Sequence, residues 1–293
     1  MHVFTAESDP AAVRRAVEAG EHFWLDVPRD RLDTDHPAAR ALGIDDETLR
    51  RADHSGVFVE AQQSTIVFPG AHRADRRVDR VAVTIVAGEA GIVTLRDHDC
   101  GELDDLRGSA RDVDALKVLE ALTDSVQAAA DHLEDEVEDA ENRMLRTRAR
   151  QQLADVTALR QQVSQLVKIA REQRGTVIRN QDELADVPVR RGTGAVRVRE
   201  LEGRVARATD AAESTRQTIA EALNLYLSFA AENLTRIATV LLPLTVVSGF
   251  FGMNFGWMVD HIDTLWSFVA FGIGGMVVAV AGVRLYLGRK GYT

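Results

Sequence analysis

The chain has a single cysteine, Cys100, among its 293 residues, so no disulfide can form within it. This suits a body kept in a reducing compartment. Lysine is nearly as scarce, occurring only at Lys117, Lys168 and Lys290. Acidic residues outnumber Lys and Arg by 45 to 35, for a formal net charge of −10. That excess argues against nucleic acid as a partner, because binding phosphates needs surplus cations to displace their counterions. There is no phosphate-cradling loop; Gly192-Thr193-Gly194 is too short and lacks the lysine. No nucleophile–base set and no His/Cys cluster at zinc spacing stands out, so neither an enzyme nor an organic cofactor is expected. Asp97-His98-Asp99-Cys100 has ligand residue types, but consecutive loop residues rarely converge on one ion. Met1 to Glu7 has neither the basic nor the apolar region of a secretory signal.

Charge is unevenly spread. Residues 1–236 carry nearly all of it and residues 237–288 very little. The composition therefore reads as a soluble body with a membrane tail.

Residues 1–110 read as a small α/β unit. Strand-like runs occur at 22–27, 56–60, 63–68, 79–86 and 91–95, rich in β-branched residues and bounded by Gly, Asp and Pro. Ile44 to Leu49 has the carboxylates of a helix start. From residue 112 the period changes. Leu116, Leu119, Leu122, Val126, Ala130, Leu133, Val137, Ala140 and Met144 recur at steps of three and four, and the stripe resumes at Leu153, Val156, Leu159, Val163 and Leu166. No proline interrupts residues 112–187, which predicts one very long helix. After a turn at Pro188, Gly192 and Gly194, a second stripe from Leu201 to Tyr226 runs on without a breaker. It predicts one continuous helix from cytosol into bilayer.

The first long helix carries Asp131, Glu134, Asp135, Glu138 and Asp139. Residues 131, 135 and 139 share a face at i, i+4 spacing, where like charges repel. Two readings stand: a solvated face balanced by Arg143, Arg146, Arg148 and Arg150, or a carboxylate surface that senses divalent cations.

Ile237 to Val259 is 23 residues without a charge, and a bilayer core needs about 20 in a helix. Thr264 to Val283 is again uncharged. Two C-terminal spans follow. Arg236 precedes the first, Arg284, Arg289 and Lys290 end the second, and the loop between has no Lys or Arg. The positive-inside rule then places both termini in the cytoplasm. Leu234, Ala238, Leu242, Thr245 and Gly249 fall on one face of the first span. Such a face could line a pore or pack against another helix. Pro243 removes one helical donor.

At the outer end of that span stands Ser248-Gly249-Phe250-Phe251-Gly252-Met253-Asn254-Phe255. Gly252-Met253-Asn254 resembles the signature of the CorA family of magnesium and cobalt transporters. Its place before a short outer loop and a second span strengthens the likeness. The resemblance implies an α+β cytoplasmic domain (1–110), a long-helix stalk (111–235), a first span (236–254), an outer loop (255–263), a second span (264–288) and a cytoplasmic tail (289–293). It also implies a funnel-shaped homopentamer in the inner membrane. Asn254 would ring the pore mouth, with Thr245 and Gly249 below it and Leu242 and Leu234 at an apolar constriction. The transported and regulatory ion implied is Mg2+, with Co2+ or Ni2+ as further cargo, and cytoplasmic Mg2+ held between subunits by carboxylates would gate it. Asp260 and Asp263 would gather cations at the mouth. Phe251 stands where the family most often has Tyr, no proline follows Met258, and the Lys-rich tail is reduced to Arg289-Lys290. Two alternatives remain: a zinc transporter of the same fold, and a non-conducting membrane-anchored coiled-coil scaffold or sensor.

Overall fold

The computed structural model describes residues 1–50, 55–60, 63–74, 77–109, 112–146, 151–189, 193–252, 266 and 268–289. The chain divides into two units, Met1–Ala222 and Leu223–Thr293.

The first unit is built on one mixed sheet with the strand order β1-β2-β6-β5-β4-β3. Its strands are β1 (His2–Thr5), β2 (Phe23–Pro28), β3 (Gly56–Val59), β4 (Gln63–Ala74), β5 (Arg77–Gly88) and β6 (Gly91–Arg96). β1, β2 and β6 run parallel, and β6, β5, β4 and β3 pair antiparallel. The five expected strands are present, and β1 is an addition. A parallel pair needs a crossover, and α1 (Pro10–Glu18) supplies it, started by Asp9, whose carboxylate accepts from the Ala11 N–H at 2.9 Å. α2 (Pro37–Leu42) ends at Gly43, whose positive φ of 67° makes the left-handed C-cap. α3 (Asp46–Arg50) begins where the carboxylates indicated, with Asp45 accepting from the Thr48 N–H at 2.7 Å. α4 (Gly101–Ser109) follows β6.

β4 outruns its expected end at Phe68 by six residues, through Pro69 and Gly70 to Ala74. β3 pairs only with Ser64 to Val67, so beyond that point this side of β4 is an edge. A proline is tolerated where no ladder partner asks for its N–H. Two residues on, the Ala71 N–H donates to Ser125 Oγ at 2.9 Å, and the Pro69 carbonyl accepts from Gln173 Nε2 at 2.7 Å. Helical side chains thus satisfy the backbone that β3 leaves unpaired. Gly70 permits this approach: a Cβ there would lie 2.8 Å from Leu122 Cδ2.

The single helix expected over 112–187 is instead a hairpin of two long helices, α5 (Ala115–Arg146) and α6 (Gln151–Arg179). Gln173 bonds the Leu122 carbonyl near one end, and Asp139 shares a cleft with Asp155 and Leu159 near the other, so the two run antiparallel. Folding back lets both bury an apolar stripe on the same sheet face. After the short α7 (Gln181–Ala185), α8 (Gly194–Phe251) runs for 58 residues as one helix, as expected. Its stripe Val198, Leu201, Val205, Ala208, Ala212, Ile219 and Ala222 is buried.

Side chains alternate across the sheet and feed two cores. Phe23, Leu25, Val27, Val93 and Leu95 pack with Val13, Ala38 and Leu42 of α1 and α2. Trp24, Ile66, Phe68, Val83 and Ile85 pack with Leu116, Leu119, Val177, Leu201 and Val205 of α5, α6 and α8.

In the second unit, the rest of α8 is followed by a π-helical turn, Phe268–Ile273, and by α9 (Gly274–Arg289). By length and composition α8 is long and apolar enough to cross a membrane, and Gly274–Val283 is a shorter apolar helix.

Candidate ion-conduction segment

The residues predicted to line a pore lie on α8. Leu234 and Leu242 are 73% and 66% exposed, and Ala238, Thr245 and Gly249 are exposed too. Val240, Pro243, Leu244 and Val247 are half-buried. At 3.6 residues per turn these two sets lie about half a turn apart. The helix therefore has a half-covered side and an open side, and the open side is the predicted one.

Its polar groups are arranged by the helix itself. Thr235, Thr239 and Thr245 hydroxyls donate to the carbonyls of Ala231, Thr235 and Leu241 at 2.9, 2.7 and 2.9 Å. Thr245 thus spends its proton on backbone, which leaves its oxygen lone pairs free to accept. Gly249 leaves open space, with nothing within 4 Å of where its Cβ would be. The Gly252 N–H donates to the Ser248 carbonyl at 2.9 Å, and a Cβ there would stand 3.3 Å from that oxygen. Met253, Asn254, Asp260, Asp263 and Lys290 lie outside the described residues.

The same open side continues below the predicted residues. Leu227, seven positions before Leu234, is 61% exposed. Sequence periodicity could have included it, since it continues the spacing of Leu234.

Of the basic residues, Arg236 pairs with Glu232 at 2.6 Å, one turn away. Arg284 and Arg289 are on α9.

In the first unit, Asp131, Glu134, Asp135, Glu138 and Asp139 are all exposed on α5. Gln127 Nε2 donates to Asp131 at 2.7 Å, and Glu136 turns inward to pair with Arg73. Asp139 lines a cleft between α5 and α6 with Glu136 and Arg143 of its own helix and Asp155 and Gln162 of α6. Among the described residues no three His, Cys, Asp or Glu side chains gather closely enough to hold a metal ion. The ligand types around residue 98 are otherwise engaged: Asp97 pairs with Arg29 at 2.9 Å, and Cys100 is buried. Burial pushes the Cys100 thiol up to about 12, so it stays protonated and inert.

Buried charges elsewhere hold the fold. Asp26 accepts from Thr94 Oγ1 at 2.7 Å and meets Arg107 at 3.2 Å and Arg96 at 3.4 Å. Burial dominates and raises its pKa despite these partners. Arg80 and Ser55 both hydrogen-bond Glu172. Burial pushes Glu172 up, but those bonds together with the Arg80 charge outweigh it, and its pKa is lowered.

A family model described as the CorA-like Mg2+ transporter protein matches residues 19–289. No curated protein sequence matches the chain. Among solved structures, the complete CorA magnesium transporter from Methanocaldococcus jannaschii is similar, with a TM-score of 0.67 at 16% identity, covering 92% of this chain and 91% of that one. The soluble domain of the same archaeal protein is similar over 70% of this chain and 87% of its own, at a TM-score of 0.58 and 16% identity. The ZntB cytoplasmic domain from Vibrio parahaemolyticus follows with a TM-score of 0.52 at 11% identity, over 71% of this chain and 88% of that one. At these identities the structures speak to fold, and the family match spans most of the sequence. The chain belongs to the CorA-like Mg2+ transporter family.

Proposed function

We propose that this chain is one subunit of an inner-membrane channel that passes hydrated Mg2+ down its electrochemical gradient. The observation that carries the reading is the open face of α8. Leu234, Ala238, Leu242, Thr245 and Gly249 leave one side of an apolar helix uncovered, just before the Gly252-Met253-Asn254 signature. Copies of the chain placed around an axis would turn that side into a pore wall.

Chemistry follows from the residue types. Mg2+ dehydrates reluctantly and keeps its waters. A ring of Asn254 amide oxygens accepts hydrogen bonds from those waters without stripping them, so the ion is held loosely enough to leave. Thr245 oxygens receive it next, and Leu242 and Leu234 close the path by dewetting. Asp260 and Asp263 concentrate cations at the outer mouth. In this reading residues 236–254 and 264–288 are the spans, 255–263 is the outer loop, and Arg236, Arg284, Arg289 and Lys290 keep both termini cytoplasmic. Co2+ and Ni2+ are further cargo, and five copies would complete the assembly. The exposed carboxylates Asp131, Glu134, Asp135, Glu138 and Asp139 would sense cytoplasmic Mg2+ where another copy supplies further ligands. Ions are substrate and regulator here, and no organic cofactor or chemical catalysis is invoked.

The test is ion flux into liposomes holding the purified protein, with Mg2+, Co2+, Ni2+ and Zn2+ offered separately. Mg2+ flux that follows membrane potential and is abolished by Asn254→Ala, with assembly intact, is the expected result. Zn2+ flux without Mg2+ flux would move the cargo to zinc, the alternative with which the ZntB-like fold is compatible. Silence towards every ion from intact oligomers would leave a scaffold or sensor.

A further inference from the structure

We propose that His36 is a proton-operated latch: neutral, it caps α2 and holds that helix on the sheet, and protonated, it lets the helix open locally while the long helices stay folded. The latch belongs to the first unit and stands whether or not α8 lines a pore.

Two helices of the first unit begin on the same pattern. Asp9-Pro10-Ala11-Ala12 opens α1, and His36-Pro37-Ala38-Ala39 opens α2. In both, the proline at the start of the helix has no N–H, so the next alanine offers the first free donor. Asp9 Oδ1 accepts from the Ala11 N–H at 2.9 Å, and His36 Nδ1 accepts from the Ala38 N–H at 3.2 Å. The two caps differ in what a proton does to them. Of carboxylate and imidazole, only the imidazole ordinarily changes charge between about pH 5 and 8. The Ala38 N–H can only donate, so Nδ1 is bare and the neutral ring carries its proton on Nε2. A proton on Nδ1 turns this acceptor into a donor facing a donor. It also sets a positive charge at the positive end of the helix.

α2 is poorly equipped to survive that loss. It has six residues, where an unaided helix is marginal below about 12. It depends on its two caps, His36 and Gly43, and on burying Ala38, Ala39 and Leu42 in the core with Val13, Val86 and Leu95. His36 is half-buried, and burial lowers its pKa below 6.5. α2 packs against α1, β5 and β6. Their charged side chains are Arg14, Arg15 and Glu18 on α1, Arg77, Asp79 and Arg80 on β5, and Arg96 on β6. None of them is a cause of the lowering. In the preceding turn, Asp33 accepts from the Asp35 N–H at 3.3 Å, and Asp35 pairs with Arg40 at 2.6 Å. A group whose folded pKa is lowered contributes stability that is full above the unfolded value, here 6.5, and is lost as pH falls through the folded one. Mild acid therefore unfastens α2.

The experiment is hydrogen exchange, read by mass spectrometry on the full-length protein in detergent at pH 7.5 and pH 5.0, corrected for the intrinsic pH dependence of exchange. Protection over residues 37–42 should fall roughly fivefold or more, the worth of a helix cap, while 11–18 of α1 and 116–133 of α5 keep theirs. His36→Asn, which caps without titrating, should hold 37–42 at both pH values. His36→Ala, which cannot cap, should show the low value at both. Equal protection of 37–42 in the parent at the two pH values would overturn the latch, and so would a fall in His36→Asn as large as the parent's. Loss over 116–133 in step with 37–42 would overturn it too, because acid would then be opening the whole first unit.

Discussion

Arg197 Nη1 lies 2.5 Å from Asp114 Oδ2, joining the first turns of α8 to the residue that opens α5. The side chains are 12% and 3% exposed, and Arg197 Nη2 also reaches Glu120 at 2.7 Å. Burial alone would weaken the guanidinium's hold on its proton. The Glu120 bond and the two carboxylate charges reverse that, and its pKa is raised. Removing one partner from such a site strands the other charge in a poor solvent. Arg197→Met should therefore cost about 3 kcal/mol of stability, read as a lowered unfolding midpoint of the solubilised protein. Arg204 and Asp124, 3.1 Å apart but 42% and 53% exposed, provide the contrast. Arg204→Met should cost well under about 1 kcal/mol.

Gly70 packs directly against Leu122 and Ser125 of α5. Gly70→Val would drive new methyls into Leu122 and Ser125 and dislodge the Ser125 bond to the Ala71 N–H. The expected penalty is about 1–3 kcal/mol, measured by denaturant unfolding, with the change confined to the midpoint and the slope preserved.

Glu172 sets an acid limb. Its folded pKa lies below the unfolded value of 4.5. A depressed carboxylate contributes stability that is fully present above the unfolded pKa and is lost as pH falls through the folded one. Glu172→Gln should therefore be less stable than the parent at pH 7, and the gap should close as pH drops below 4.5. A gap that does not change with pH would mean that Glu172 acts only through packing. Asp26 slopes the other way: with its pKa raised above 3.8, it weakens the fold as pH rises through that range.

Cys100 should resist a maleimide at pH 7.5 in the folded chain and react only after unfolding, because its thiol is buried and titrates near 12. Mass spectrometry of the intact protein reads this directly.

The carboxylate face of α5 makes a prediction about regulation. Under the proposed sensing role, Mg2+ should protect the first unit against limited proteolysis, and replacing Asp131, Asp135 and Asp139 together by Asn should reduce that protection. An unaltered protection curve would return these residues to the role of a solvated face.

Much of this was legible in the sequence, for identifiable reasons. The apolar strands β2, β4, β5 and β6 announce themselves because they are buried on both faces. β1 does not: one exposed and three half-exposed residues become a strand only through pairing with β2, a non-local fact. The α5–α6 turn left a trace that the proline rule could not see. Met144 and Leu153 are nine residues apart, which fits neither two turns nor three, so the apolar stripe slips phase there. Between Arg146, where α5 ends, and Gln151, where α6 begins, the sequence has no Gly or Pro to mark a break. The stripe from Leu234 to Gly249 was readable by period, but period alone could not show which side of the helix the fold leaves open. The contrast with half-buried Val240, Pro243, Leu244 and Val247 required coordinates.

Pro243 gives the helix a built-in direction of bending. It lacks the N–H that would meet the Thr239 carbonyl, and its ring crowds that turn. The helix is thereby loosened on the side of Pro243, which is the half-covered side. Flexure at this point tips Thr245 and Gly249 towards the open side, like a finger that curls only towards the palm. Straightening and curling would then carry the end of the helix to and fro along one line.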